Sequence, residues 1–362
     1  MSYSTLSLTD STVSSTPTLR LDSLQTHHTQ ALVNVVSSSL YDTPLPTHTL
    51  ASALFELRRH LESPLSFAHS HPATETNAAQ VLEHILLCWV CARAAQADMQ
   101  NYAPQKTIPT ADALFDKYAD ISADAVSEAI QCTSYLATMG PGIGAVARTS
   151  IPASLVLVLG FSDTHGVLTS ALRTLTKLCT KHSIKRARAG ARWEAETGLY
   201  AVMDAFTRGK EALQLRCRFD TLANTAFQYV SEVAAAPRQK TTALRPQSSL
   251  SSLDNYSRCI SAASSYVSFT HESVQVVQAE RVVASALALV NALIEAHSER
   301  ESRLRLRKEL LDTALYKCIK ILEEPELDDT RAYEEARKFR RAYARDIKDC
   351  DTQTNLPSPS SQ

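Results

Sequence analysis

The side chains in this chain best placed to do chemistry are cations. Arg173, Lys177, Lys181, Lys185, Arg188 and Arg192 follow one another at spacings of 4, 4, 4, 3 and 4, and Arg186 adds a further charge. On a helix turning 100° per residue, the six spaced positions fall within an arc of about 120°. No acidic residue intervenes before Glu194, and Leu168, Leu172, Leu175, Leu178, Cys179 and Trp193 take the opposite arc. Such a stripe can track the phosphates of RNA or DNA, lie on an anionic membrane surface or pair with an acidic partner. It also reads as a solvated face whose countercharges come from acidic helices nearer the N-terminus. No aromatic residue interleaves it, which weighs against stacking of single-stranded bases.

Three further constellations invite a chemical reading. His84, Cys88 and Cys91 stand at i, i+4 and i+7, so one helix face would carry two thiols and an imidazole, all good zinc ligands. A fourth ligand and a second Cys-x-x-Cys are lacking, and the flanking Leu86, Leu87, Trp89 and Val90 mark a core segment. No metal or other cofactor is therefore expected. Gly140, Gly142 and Gly144 match neither phosphate-loop spacing, and no clear strand precedes them. They read as a hinge. Glu323, Glu324, Glu326, Asp328 and Asp329 surround Pro325, which breaks the helix that a magnesium-binding carboxylate face would need. Ser248, three residues after Arg245 in a Ser-rich stretch, is a candidate phosphorylation site. No catalytic signature of known spacing appears, so an enzyme is not expected.

The elements that must position these residues read as helices. All eight glycines lie between Gly140 and Gly209, leaving 292 of 362 residues glycine-free. Hairpin turns recruit glycine for φ > 0, so a hairpin-built fold is excluded. The expected class is all-α: a large helical bundle or irregular helical array with a long C-terminal antiparallel helix pair. Apolar residues make up 44% of the chain and charged residues 21%, enough for a sizeable core.

Along the chain, residues 1–19 and 351–362 read as disordered Ser/Thr-rich tails. An N-terminal helical subdomain covers 20–139. Within it Leu50, Leu54, Leu57 and Leu61 mark one helix, Thr76–Tyr102 a strongly apolar one, and Ser122 opens another. A Gly-containing central region covers 140–235, with the turn-rich window 139–152 followed by an apolar run at Ser154–Leu159 that fits a strand or a buried helix. Residues 236–251 form a linker and 252–350 a long-helix region. There a 3,4 seam runs from Leu287 to Leu322 and lapses at His297, Glu301 and Lys308. Ser298 and Glu301 have capping-box spacing, which predicts a new helix after His297. A last charged helix is expected over Asp329–Asp349. No internal repeat of regular period is visible.

The net charge of −1 argues against a wholly nucleic-acid-binding surface but not against a local basic site. The eight scattered cysteines and the absence of a visible signal peptide point to an intracellular, cytoplasmic location. The longest apolar stretch, Ile151–Phe161, is too short to span a bilayer. The expected function is that of a non-enzymatic helical interaction or scaffold protein with a protein partner, and oligomerisation could use 274–322. The alternatives are a nucleocapsid- or coat-like protein binding RNA through 173–192, and a peripheral membrane-associated helical module.

Overall fold

The computed structural model describes residues 30–37, 47–62, 72–96, 121–138, 140–180, 191–236, 256–324, 327 and 330–354. They form helices joined by short turns, and no strand occurs among the described residues. In chain order the helices are α1 (30–37), α2 (Thr47–Glu62), α3 (Pro72–Gln96), α4 (Ala123–Leu136), α5 (Gly140–Ala147), α6 (Ile151–Phe161) and α7 (His165–Cys179). There follow α8 (Ala191–Ala212), α9 (Asp220–Ala235), α10 (Tyr256–Ala296), α11 (Arg300–Leu311), α12 (Leu315–Leu322) and α13 (Arg331–Thr354).

Local sequence explains several of these helices. In α2 the leucines at 50, 54, 57 and 61 are all buried, as their spacing requires. The α4 N-cap is Ser122, whose Oγ accepts a hydrogen bond from the Ala125 N–H at 3.2 Å. The ambiguous apolar run is helical: α6 begins with Pro152 in its first turn, and Leu155, Val156 and Val158 are fully buried. Each such side chain contributes about 2 kcal/mol by leaving water.

Packing orders the helices into two rows. One row runs α2, α4, α7, α10, α13, each helix seated on the next; the other runs α3, α6, α9, α12. Contacts of α3 with α4, α6 with α7, α9 with α10 and α12 with α13 tie the rows together. From α5 onward the order repeats every three helices: a connecting helix (α5, α8 or α11), then one from each row. This is the packing logic of an α-solenoid, in which each unit buries its apolar face on its neighbour. One apolar cluster runs through the rows from Val33 to Phe339. The three units differ in length, so no fixed sequence period marks them.

Two local expectations change. The window 139–152 is not an open turn: residues 140–147 form α5. No described glycine has a positive φ. A Cβ on Gly142 would lie 2.2 Å from the carbonyl oxygen of Leu136, one on Gly198 2.5 Å from that of Leu178, and one on Gly209 2.7 Å from Val156 Cγ1. These glycines permit close helix contact, which seats α5 against α4 and seats α8 against α7 and α6. At the C-terminal seam, α10 does end at Ala296, but the capping box does not form. Glu299 is the N-cap of α11 and makes no side-chain cap bond. Arg303 instead donates to the carbonyls of Ser298 at 2.8 Å and His297 at 3.3 Å.

The seam beyond His297 divides again at Asp312–Ala314, so two short helices, α11 and α12, follow α10 in place of one long one. The main neighbours of α10 are α7, α9 and α13. Glu280, Asn291 and Glu295 of α10 meet Arg331, Glu335 and Lys338 of α13 in the same order, so those two helices run in the same direction. The segment Val274–Ala296 is long and apolar enough to cross a membrane by length and composition, yet 72% of its most apolar 18 residues are buried inside the fold.

Candidate binding surface

The basic stripe does not lie on one helix. α7 ends at Cys179, and Thr180 is extended at φ −76° and ψ 127°. The spacing of four therefore stops describing one face after Lys177. Lys181, Lys185, Arg186 and Arg188 lie outside the described residues, as does the side chain of Arg192. Arg173 is exposed. Lys177 is turned inward: its Nζ donates to Ser134 Oγ at 2.7 Å and to the Ser134 carbonyl at 3.3 Å, and sits 5.4 Å from the centre of the Tyr135 ring. Burial, and then the neighbouring Arg173, hold its pKa below the ordinary lysine value. Lys177 thus ties α7 to α4.

Other joints are tied in the same way. Arg58 of α2 bonds Glu128 of α4 at 2.7 Å. Thr225 of α9 donates to the Leu159 carbonyl of α6 at 3.2 Å, and Asn291 of α10 donates to the Glu335 carboxylate of α13 at 2.8 Å. Arg218, just before α9, grips Glu309 of α11 through two bonds of 2.6 Å. These interior polar groups hold helix to helix.

His84, Cys88 and Cys91 stay on the core-facing segment of α3. Burial, with a smaller contribution from Cys91, pushes the Cys88 thiol up to about 12, and burial also raises Cys91. Metal-bound sulfur requires the thiolate, which this setting disfavours. No group of three or more His, Cys, Asp or Glu side chains able to hold a metal occurs among the described residues. A pocket of about 200 Å³ opens beside the N-terminus of α6, lined by Arg148, Thr149, Ser150, Asp204 and Arg208. The Ser150 N–H already donates to the Glu83 carboxylate, so a carboxylate from α3 takes the place an anion would occupy. Ser248 lies outside the described residues.

The strongest exposed feature is on α13. Arg337, Lys338, Arg341 and Arg345 line an open groove of about 730 Å³ together with Glu334 and Ala344. Lys338 pairs with Glu295 at 3.5 Å, and Arg340, outside the groove, pairs with Glu323. Arg337, Arg341 and Arg345 make no ion pair among the described residues. The signal was present in the sequence as arginines spaced by four, but the helix reads simply as charged until its buried side is known. No protein-family model matches the chain, and neither does any curated protein. Fold and surface together define a class: an all-α helical array with a basic outer face on α13.

Proposed function

We propose that this protein is a non-enzymatic helical scaffold that binds a protein partner on the outer surface of its array. The observation that carries the reading is the use made of interior polar groups. Lys177, Glu128, Thr225 and Asn291 each join one helix to another rather than converging on a shared cavity. Stacked helices of this kind offer long, continuous surfaces, which suit binding other chains. The cysteines described, Cys88, Cys91, Cys132, Cys179, Cys217 and Cys318, are unbridged, in keeping with a reduced intracellular compartment. The readings that use 173–192 for RNA or an anionic membrane retain Arg173 as their exposed cation among the described residues. Within 274–322, the range considered for oligomerisation, Leu287 to Ile294 are mostly buried within the chain, while Val274, Val277 and Tyr316 are exposed.

The test is reconstitution. The full chain, purified from its native cells by mild affinity capture, should carry a stoichiometric protein partner. Recombinant partner and chain should then re-form the complex with saturable binding. A chain that stays monomeric and partnerless in its native cells, or that turns over a substrate without a partner, would overturn the proposal.

A further inference from the structure

We infer that the outer face of α13 is the docking site for an acidic helix of a partner protein. This rests on the scaffold reading and names the face and the chemistry of its occupant. α13 belongs to the row that begins at α2. Each helix of that row packs on the next, from α2 through α10, and α13 is the last among the described residues. Its buried residues are Ala332, Ala336, Phe339 and Asp346. At 100° per residue these centre roughly 180° from Arg337, Arg341 and Arg345. The three arginines therefore occupy the side on which a further helix of the row would sit.

Charge then selects the occupant. An exposed helix face needs polar residues for solubility, and mixed charges would provide them. Here a single sign prevails: four cations against Glu334 around the groove. Many arginines elsewhere are neutralised within the chain, such as Arg58 by Glu62 and Glu128, Arg208 by Asp204, and Arg305 by Glu301. Arg337, Arg341 and Arg345 rise about 6 Å per step along the helix, the same rise as acidic side chains four residues apart on an opposing helix. Guanidinium forks match carboxylates in paired hydrogen bonds. Ala344 leaves the groove room for a close approach. Phe339 and Tyr343 of α13 sit on its inner side over Arg307, and no aromatic residue lines the groove, which weighs against stacked bases there.

The experiment is a titration of the full-length protein at low salt with a labelled synthetic helical peptide carrying glutamate at every fourth position. A short oligouridine and phosphatidylserine vesicles are run in parallel. The expected result is saturable peptide binding that R337E/R341E/R345E weakens by about tenfold or more, and that K308E/K317E on other exposed positions changes by less than about twofold. Circular dichroism checks the fold of each variant. If the reversal variant fails to fold, R337Q/R341Q/R345Q replaces it, with a loss of about fivefold expected. Absence of saturable peptide binding would overturn the inference, as would equal binding by the arginine and control variants. Tighter, arginine-dependent binding of oligouridine or vesicles would also overturn it. A stoichiometric partner whose binding survives R337E/R341E/R345E would leave the scaffold reading standing and remove this assignment.

Discussion

Arg307 of α11 and Asp346 of α13 form an ion pair in which both residues are buried, 2% and 6% exposed. Arg303 adds a second bond to the same carboxylate at 2.7 Å, and Arg300 donates to the Asp346 carbonyl at 2.8 Å. The Arg307 guanidinium also lies 6.0 Å from the centre of the Phe339 ring and 5.8 Å from that of Tyr343. One aspartate therefore gathers three arginines and locks the last unit of the array.

The Asp346 pair makes stability depend on acid. The hydrogen bond from Arg303 lowers the carboxyl pKa most; burial opposes it, and Arg307 adds to the lowering, so the group settles at about 2. A carboxylate depressed on folding contributes stability that is complete above its unfolded pKa near 4 and is lost as pH falls through about 2. The contribution is about 2 kcal/mol. Asp346→Asn should lower the urea midpoint by an amount equivalent to about 3 kcal/mol at neutral pH, because it leaves Arg307 buried without its countercharge. The gap between wild type and variant should stay level down to about pH 5 and shrink between about pH 4 and pH 2. A gap that does not narrow in acid would show that the pair contributes no charge-dependent stability.

The glycines of the central window should divide by contact. Gly142→Ala puts a methyl 2.2 Å from the backbone oxygen of Leu136, which cannot move without distorting α4. The expected cost is about 2 kcal/mol or more. At Gly166, in the first turn of α7, an added methyl would meet nothing within 4 Å, so Gly166→Ala should stabilise by about 0.5 kcal/mol. Thermal denaturation of the two variants beside wild type checks both signs. Destabilisation by both would mean that the contact distances do not govern.

Part of this fold was legible in the sequence. The all-α class was legible because Leu50, Leu54, Leu57 and Leu61 carry their periodicity locally. The break after Ala296 was legible because the apolar seam lapses at His297. What the glycines do was not legible: glycine has the same letter whether it turns a chain or lets two helices touch. Lys177 failed for a related reason. Its spacing matches exposed Arg173, yet its neighbour across space is Ser134, 43 residues away. The two-row order depends on such pairings throughout, and units of unequal length leave no period to betray them. On α13, spacing alone does not tell outer face from inner until Ala336 and Phe339 are seen to be buried.

Lys177 and Arg173 should accordingly behave as different kinds of residue. Lys177→Glu sets a carboxylate against the Ser134 carbonyl and should cost about 2 kcal/mol in folding stability. Lys177→Met keeps the stem packed along Tyr135 and loses only the bonds to Ser134, for about 1 kcal/mol. Arg173→Glu, on an exposed position, should change stability by less than about 0.5 kcal/mol. Urea midpoints decide the matter: equal, small effects at 173 and 177 would return Lys177 to the surface stripe.

Gln214 closes α8 in the left-handed region, with φ 52°. Its N–H donates to the Glu211 carbonyl at 3.3 Å, and the Leu215 N–H reaches back to the Lys210 carbonyl at 2.9 Å. Those two bonds are the Schellman pattern, in which the residue at the position of Gln214 is most often glycine or asparagine. A side chain at positive φ is strained by about 1 kcal/mol, since its Cβ crowds the following carbonyl. Gln214→Gly removes that crowding but loosens the unfolded chain, and the strain term is the larger. The variant should be more stable than wild type by about 0.5–1 kcal/mol, and Gln214→Val less stable by a similar amount, because a β-branched residue tolerates this region poorly. Paired urea titrations test the order Gly above Gln above Val. Any other order would mean that the end of α8 is held by something other than its cap.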